Sequence, residues 1–256
     1  MDISELETVY AAGYDYLEMK GKYLVYLSES DFRRVCKSLL EKNFLCRGLN
    51  AYCPKDIVMA GPGFDLKRAK EYASACAARA AEVGTGCVGI GSPQSRMLPD
   101  GFSRKKANQQ LEDFLKATAE SFGKFGIRIC LEPLAPCYCN YINTMEEAAE
   151  IVERIGWEMI GLVADFYNME YTQEADRDMT SFLPWLYHIH ISDDAGGPDR
   201  RSYLREERAA VHQKRIRRLY ESGYRGAMSV ELDVPASLTY ARQSLGILRR
   251  GCAFAM

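Results

Sequence analysis

The chain has 256 residues, 47% hydrophobic, 27% charged and 11% aromatic, with 20 Gly and 9 Pro; these proportions exclude a disordered, collagenous or low-complexity protein. Lys plus Arg number 33 against 35 for Asp plus Glu, and a net charge of −2 offers no general attraction to nucleic acid or an anionic membrane. No apolar run reaches the ~20 residues of a membrane span. The acidic start Met1-Asp2-Ile3-Ser4-Glu5 lacks the order of a signal peptide, and nine scattered cysteines read as reduced thiols, so a cytoplasmic protein is expected.

Taken in order, Ser4-Glu5-Leu6-Glu7 has capping-box spacing and opens a helix that Gly13 closes. Tyr14 to Glu18 reads as a short strand, and a helix follows from about Ser30 with Phe32, Val35, Leu39 and Leu40 on one face. A strand is predicted near Gly48–Tyr52, an Ala-rich helix over 66–83, and a strand over Cys87–Ser92. Ser103 to Phe125 is helical, Ile127–Leu131 an apolar strand, and Thr144-Met145-Glu146-Glu147 a second capping box opening a helix to Ile155. Gly161–Ala164 leads to Asp165, Leu186–Ile191 is a strand, Glu207–Ser222 a basic helix, Gly226–Val230 leads to Glu231, and 237–249 closes the chain as a helix.

Near-continuous apolar strands alternating with helices predict a parallel sheet buried on both faces. Seven such strands suit a (β/α)8-type TIM barrel over an open sheet, as one domain spanning 1–256. The chain begins at a helix where a strand is expected, so the first strand of the barrel is read as missing. The edge this leaves would be covered by the tail Cys252-Ala253-Phe254-Ala255-Met256, by a second copy or by a partner chain. The alternative is that Tyr23-Leu24-Val25-Tyr26 is the eighth strand.

Glu132, Asp165, His190 and Glu231 each fall at or near the C-terminal end of an apolar strand, 33, 25 and 41 residues apart, each about one βα unit. Loops at that end converge on the barrel mouth. Three carboxylates crowded there would repel unless a cation sat among them. One imidazole with several carboxylates suits Mn²⁺, Mg²⁺ or Co²⁺, and Zn²⁺ also accepts such ligands. The plainer reading makes each an ordinary polar residue bonded to loop amides.

Glu132-Pro133-Leu134, Asn143-Thr144, Asp165-Phe166-Tyr167, His188-Ile189-His190 and the run Tyr224 to Glu231 resemble the xylose isomerase-like TIM barrel superfamily. Gly13 to Glu18, Leu49-Asn50 and Gly91 to Ser103 are similar to its sugar isomerase and epimerase side. The resemblance implies Glu132, Asp165, His190 and Glu231 as ligands of one divalent ion, with His190 favoured over His188. It implies Glu132 and Glu231 as the catalytic pair that removes and returns a proton next to the carbonyl of a keto sugar or keto acid, through an enediolate. The expected partner is a small sugar or sugar phosphate. A metal-dependent lyase or dehydratase on a keto sugar or keto inositol, and an inactive barrel that binds sugar or serves as a subunit, are the competing readings. The DNA-repair branch needs many histidines, and this chain has three.

Two positions depart from the family pattern. Asn168 stands where many members place a histidine, and Tyr138 where ketose 3-epimerases place a second glutamate. Further candidates for substrate contact are Glu18, Asn50, Arg96, Asn168, His188 and Arg200, with Arg201 beside the last. Glu18 reads equally as a salt-bridge partner in the barrel mouth. Tyr138, Tyr167 and Trp185 read as packing residues, Cys137 and Cys139 as incidental thiols, and Lys214–Arg218 as a solvated helix face.

Overall fold

The computed structural model describes residues 3–197 and 200–253. Strands β1 (Tyr16–Lys20), β2 (Leu45–Asn50), β3 (Cys87–Ile90), β4 (Arg128–Leu131), β5 (Ile160–Asp165), β6 (Leu186–Ile191) and β9 (Ala227–Val230) form one parallel seven-stranded sheet in that order. Helices α1 (Ile3–Ala12), α2 (Gly21–Tyr26), α3 (Glu29–Glu41), α4 (Leu66–Glu82), α5 (Arg104–Gly123), α6 (Met145–Ile155), α7 (Phe166–Tyr171), α8 (Ala209–Glu221) and α9 (Leu238–Cys252) accompany it. Between β6 and α8 a two-stranded antiparallel hairpin, β7 (Asp193–Asp194) and β8 (Arg201–Ser202), stands over the mouth. The described residues form a TIM barrel with seven strands where a complete one has eight. No helix among the described residues is long and apolar enough to cross a membrane.

Local chemistry explains the main helices. Ser28 Oγ accepts from Asp31 N to start α3, whose Phe32, Val35 and Leu39 are buried on one face. In α4 small residues (Ala69, Ala73, Ala77, Ala80) line the buried face, which lets it pack close against α5. Thr144 Oγ1 accepts from Glu147 N at the start of α6, while the Glu147 carboxylate reaches one residue further back, to Asn143 N. Gly156, at φ 63°, ends that helix in the left-handed conformation.

Tyr23 to Tyr26 is helix, not the eighth strand. Leu24 is fully buried while Tyr23 and Tyr26 are exposed, a three-residue spacing that only a helix presents to one side. The missing strand therefore leaves β1 and β9 as the two ends of the sheet. Side chains bridge the seam: Tyr16 Oη donates to the Met228 carbonyl at 2.7 Å, and Ser229 Oγ donates to Tyr16 Oη at 3.3 Å. Outside them α1 packs on α9, closing the helical ring, and Tyr14 Oη donates to the Ala241 carbonyl. A cavity of about 880 Å³ follows the seam from Asn50 and Glu231 to Gly226. Of the proposed covering tail, Cys252 ends α9, and Phe254-Ala255-Met256 lie outside the described residues.

Candidate metal centre

The barrel geometry brings Glu132, Asp165, His190 and Glu231 together. Glu132 directly follows β4 and its N–H donates to the Ile90 carbonyl, continuing the ladder by one residue. Asp165 ends β5 and also caps α7, its Oδ1 accepting from Tyr167 N at 2.9 Å. His190 lies on β6 in register with Asp165 on one side and Ser229 on the other. Glu231 follows β9 and donates its N–H to the Ile191 carbonyl. One ligand atom from each of the four lies within 4.8 Å of the others.

Room for these side chains comes from glycines on neighbouring strands. A Cβ at Gly91 would stand 2.4 Å from Glu132 Oε2, and one at Gly48 would stand 2.3 Å from Glu18 Oε1. Glu18 fills the space beneath the cluster and pairs with both histidines of β6, Oε1 with His188 Nε2 at 2.6 Å and Oε2 with His190 Nε2 at 3.0 Å. The second contact places a proton on His190 Nε2. It turns Nδ1 toward the carboxylates, 3.5 Å from Glu132 Oε1 and 3.6 Å from Glu231 Oε2. A carboxylate holding the far nitrogen is how proteins orient a metal-binding imidazole.

The electrostatics set the two glutamates apart. Burial alone would raise Glu132, but the bond and charge of His190, with Arg201 and Arg96, hold it below the usual carboxylate range. Burial pushes Glu231 up to about 7; Glu132 and Asp165 add to the rise, and Arg201 and His190 oppose it. Burial also raises Asp165, against the pull of Arg201. His190 Nδ1 is buried without a hydrogen-bond partner. Three carboxylates and one imidazole nitrogen at this spacing fit a divalent cation, which would satisfy the orphaned nitrogen and take the place of a proton at Nδ1.

The remaining predicted residues divide. Asn50 Nδ2 donates to Glu231 Oε1 at 3.0 Å. Asn168 Nδ2 donates to Asp165 Oδ2 at 2.9 Å and Glu132 Oε1 at 3.3 Å, while its Oδ1 accepts from Ala135 N. Both asparagines thus orient carboxylates. Glu18 and His188 form the ion pair beneath the cluster, the salt-bridge alternative of the sequence reading. Arg96 does not reach the mouth: it is fully buried and donates to the Glu132 carbonyl at 2.6 Å, bracing the end of β4. Arg200 is exposed on the hairpin, and Arg201 is the arginine that enters the site. Its guanidinium meets Asp165 Oδ2 and, at 3.1 Å, Glu231 Oε2, and lies over the rings of Tyr138 and Tyr167. Adjacent residues of a strand face opposite ways, so only the hairpin's register distinguishes the two arginines. The basic stretch of α8 is not wholly solvated either, since Arg215 is buried against Glu170.

The chain matches the family described as Xylose isomerase-like TIM barrel over residues 6–251. Inosose isomerase of Halalkalibacterium halodurans is 29% identical over 119 residues, 43% of this chain and 41% of that protein. The 3-dehydroshikimate dehydratase of Pseudomonas aeruginosa is 25% identical over 252 residues, 89% of this chain and 35% of that protein. The chain thus spans well under half the length of either relative. Among solved structures, 3-keto-D-glucoside 4-epimerase of E. coli superposes with a TM-score of 0.74 at 19% identity, covering 97% of this chain and 95% of that one. L-ribulose 3-epimerase gives 0.77 at 17% identity, covering 98% and 88%. The IOLI protein, solved with a bound zinc atom, gives 0.68 at 19% identity, covering 100% and 93%. At these identities the structural likeness is one of fold, and with nearly the whole length matched the chain belongs to the xylose isomerase-like TIM barrel family.

Proposed function

We propose that the protein is a divalent-metal-dependent isomerase or epimerase of a small keto sugar or keto acid, working by proton transfer through an enediolate. The observation that carries this reading is the cluster of Glu132, Asp165, Glu231 and His190, with His190 Nδ1 turned toward the carboxylates and Nε2 held by Glu18. Mn²⁺, Mg²⁺ or Co²⁺ suits that donor set, and Zn²⁺ is the nearest alternative. When bound, the ion supplies Lewis acidity toward vicinal oxygens of the substrate, which acidifies the neighbouring C–H.

The chain's own residues supply the rest. Glu132 Oε1 and Glu231 Oε2 lie 3.5 and 3.6 Å from His190 Nδ1, so two separate carboxylates face a carbon held at the cluster. One takes the proton and the other returns it. Arg201 presents a permanent positive charge at the rim, and Asn50 and Asn168 keep the carboxylates pointed inward. Tyr138 and Tyr167 confine the guanidinium. Asn168 orients a carboxylate and carries no titrating proton, so the relay rests on the glutamates alone.

Elimination of water is the second reading, favoured by the similarity to a 3-dehydroshikimate dehydratase over 89% of this chain. The test is incubation of the Mn²⁺-loaded protein with a panel of ketoses, a keto inositol and 3-dehydroshikimate in D₂O, followed by NMR and mass spectrometry. Deuterium entering next to the carbonyl with mass otherwise conserved supports isomerisation, and loss of water supports the dehydratase. Absence of both from every substrate, with metal tightly bound, would overturn catalysis. With Mn²⁺ shown by metal analysis to be retained, Glu132→Gln and Glu231→Gln each abolish conversion if the two carboxylates move the proton.

A further inference from the structure

The opposite end of the barrel holds a second charged cavity. Arg47 of β2, Gly86 just before β3 and Arg128 at the start of β4 stand on three adjacent strands; Gly48, Cys87 and Arg128 are the residues in register, so Arg128 is one residue out of step with Arg47. Gly86 N donates to the Arg47 carbonyl at 2.8 Å, and Arg128 N donates to the Gly86 carbonyl at 3.1 Å. Two strand spacings and one residue of offset set their backbones ~10 Å apart, and Gly86, bonded to both, has no side chain. A cavity of about 370 Å³ opens there, with Cys87, His188 and Tyr187 among its walls and Arg225 at its edge.

None of the lining residues is acidic. Among the described residues Arg47, Arg128 and Arg225 have no carboxylate partner, in a molecule where most arginines do. Arg225 is committed to the carbonyls of Tyr220 and Tyr224. The Arg128 guanidinium lies over the Tyr187 ring, 4.1 Å from its centroid, a contact that holds it at the cavity without using its N–H donors. Like charges gathered round a concave, partly apolar space repel one another and raise the local concentration of anions. A guanidinium fork matches the oxygens of a phosphate group two at a time.

We infer that the floor of the barrel binds a small phosphate-type oxyanion, free or as the end of a phosphate ester, held between Arg47 and Arg128 over Gly86. The site is separate from the carboxylate cluster, which stands at the other end of the strands, and needs no metal.

Calorimetric titration of inorganic phosphate and of glycerol phosphate into chelator-treated protein tests this, using wild type, Arg47→Gln, Arg128→Gln and Arg201→Gln. The expected result is saturable binding of one equivalent, weakened about tenfold in each floor variant and changed less than about twofold in Arg201→Gln. Equal binding of both ligands identifies an ester-accepting seat, and binding of inorganic phosphate alone identifies a seat for the free ion. Arg47→Lys and Arg128→Lys keep the charge and lose the fork; they give intermediate weakening and serve as the test should the Gln variants unfold. Binding lost in Arg201→Gln and kept in the floor variants overturns the inference. So does uptake that does not saturate at millimolar phosphate.

Discussion

The wall of the barrel and its seam hold the same cluster in different ways. Glu132, Asp165 and His190 stand on or just after strands β4, β5 and β6, each hydrogen-bonded to a neighbour on both sides. Glu231 follows β9, which has a neighbour on one side only. The wall strands are paired by backbone on both edges, whereas β9 is paired on one, and the side chains of Asn50, Arg201 and Tyr16 supply the contacts on its open side. Exposure follows: the Glu132 side chain is 6% exposed and that of Glu231 14%. A sheet with seven strands therefore still brings the four groups together, with one of them on a strand paired on a single side. The comparison is sharpest in metal affinity. Glu132→Gln is expected to weaken Mn²⁺ binding about a thousandfold, or about 4 kcal/mol, and Glu231→Gln by clearly less, because its strand edge allows water or a neighbour to replace it. Equilibrium dialysis with metal analysis measures both. Equal losses would mean that the seam holds its ligand as firmly as the wall does.

The wall side also extends into the hairpin that carries Arg201. Asp193 is fully buried, with Oδ1 on His212 Nε2 at 3.0 Å and Arg208 Nη1 at 3.2 Å, and Oδ2 on Arg205 N at 2.7 Å. Burial works to raise its carboxyl, but the bond and charge of His212 with the Arg205 amide and Arg208 hold it below the usual carboxylate range. A depressed folded-state value means this stabilisation is complete above the unfolded value of ~3.9 and is lost as pH falls through the folded one. Asp193→Asn is expected to cost about 3 kcal/mol at pH 7. The gap to wild type should close below about pH 4 in urea melts. A gap independent of pH would assign the loss to shape and not to charge.

The strand-end pattern made the cluster readable from the chain, since four apolar strands each ending in a ligand-type residue at βα spacing can only converge in a barrel. Seven strands and the absent first one were readable for the same reason. The choice between Arg200 and Arg201 was not, because which of them turns inward depends on a short hairpin whose register no apolar pattern marks. Arg96 misled for a related cause: a loop arginine usually reaches solvent, and here the loop folds under the mouth and buries it against the Glu132 carbonyl. Helix α2 escaped notice because Tyr23 to Tyr26 is as apolar as a strand, and its three-residue burial period is too short to stand out.

Beneath the cluster, Glu18 belongs to β1 on the seam yet orients His190 of the wall. Glu18→Gln keeps the shape, weakens the hold on His190 Nε2 and leaves all four ligand groups in place. Loss of such an orienting partner is worth about tenfold to a hundredfold in metal affinity. Measured by competition with a chelating dye, a change under twofold would show that β6 packing alone orients the imidazole.

The smallest expected effect lies at the seam itself. Tyr16 Oη donates to the Met228 carbonyl across the gap left by the missing strand. In a complete barrel that carbonyl would accept from a backbone N–H of the eighth strand. Tyr16→Phe removes the donor and leaves the rest of the ring in place, so the loss is about 1 kcal/mol, or about 2–4 °C in Tm for a chain of this size. Hydrogen exchange should report where the loss falls, with amides of β1 and β9 exchanging faster and those of β4 and β5 unchanged. A uniform increase over all seven strands would mean that the barrel opens as one unit and that its seam is no weaker than its wall.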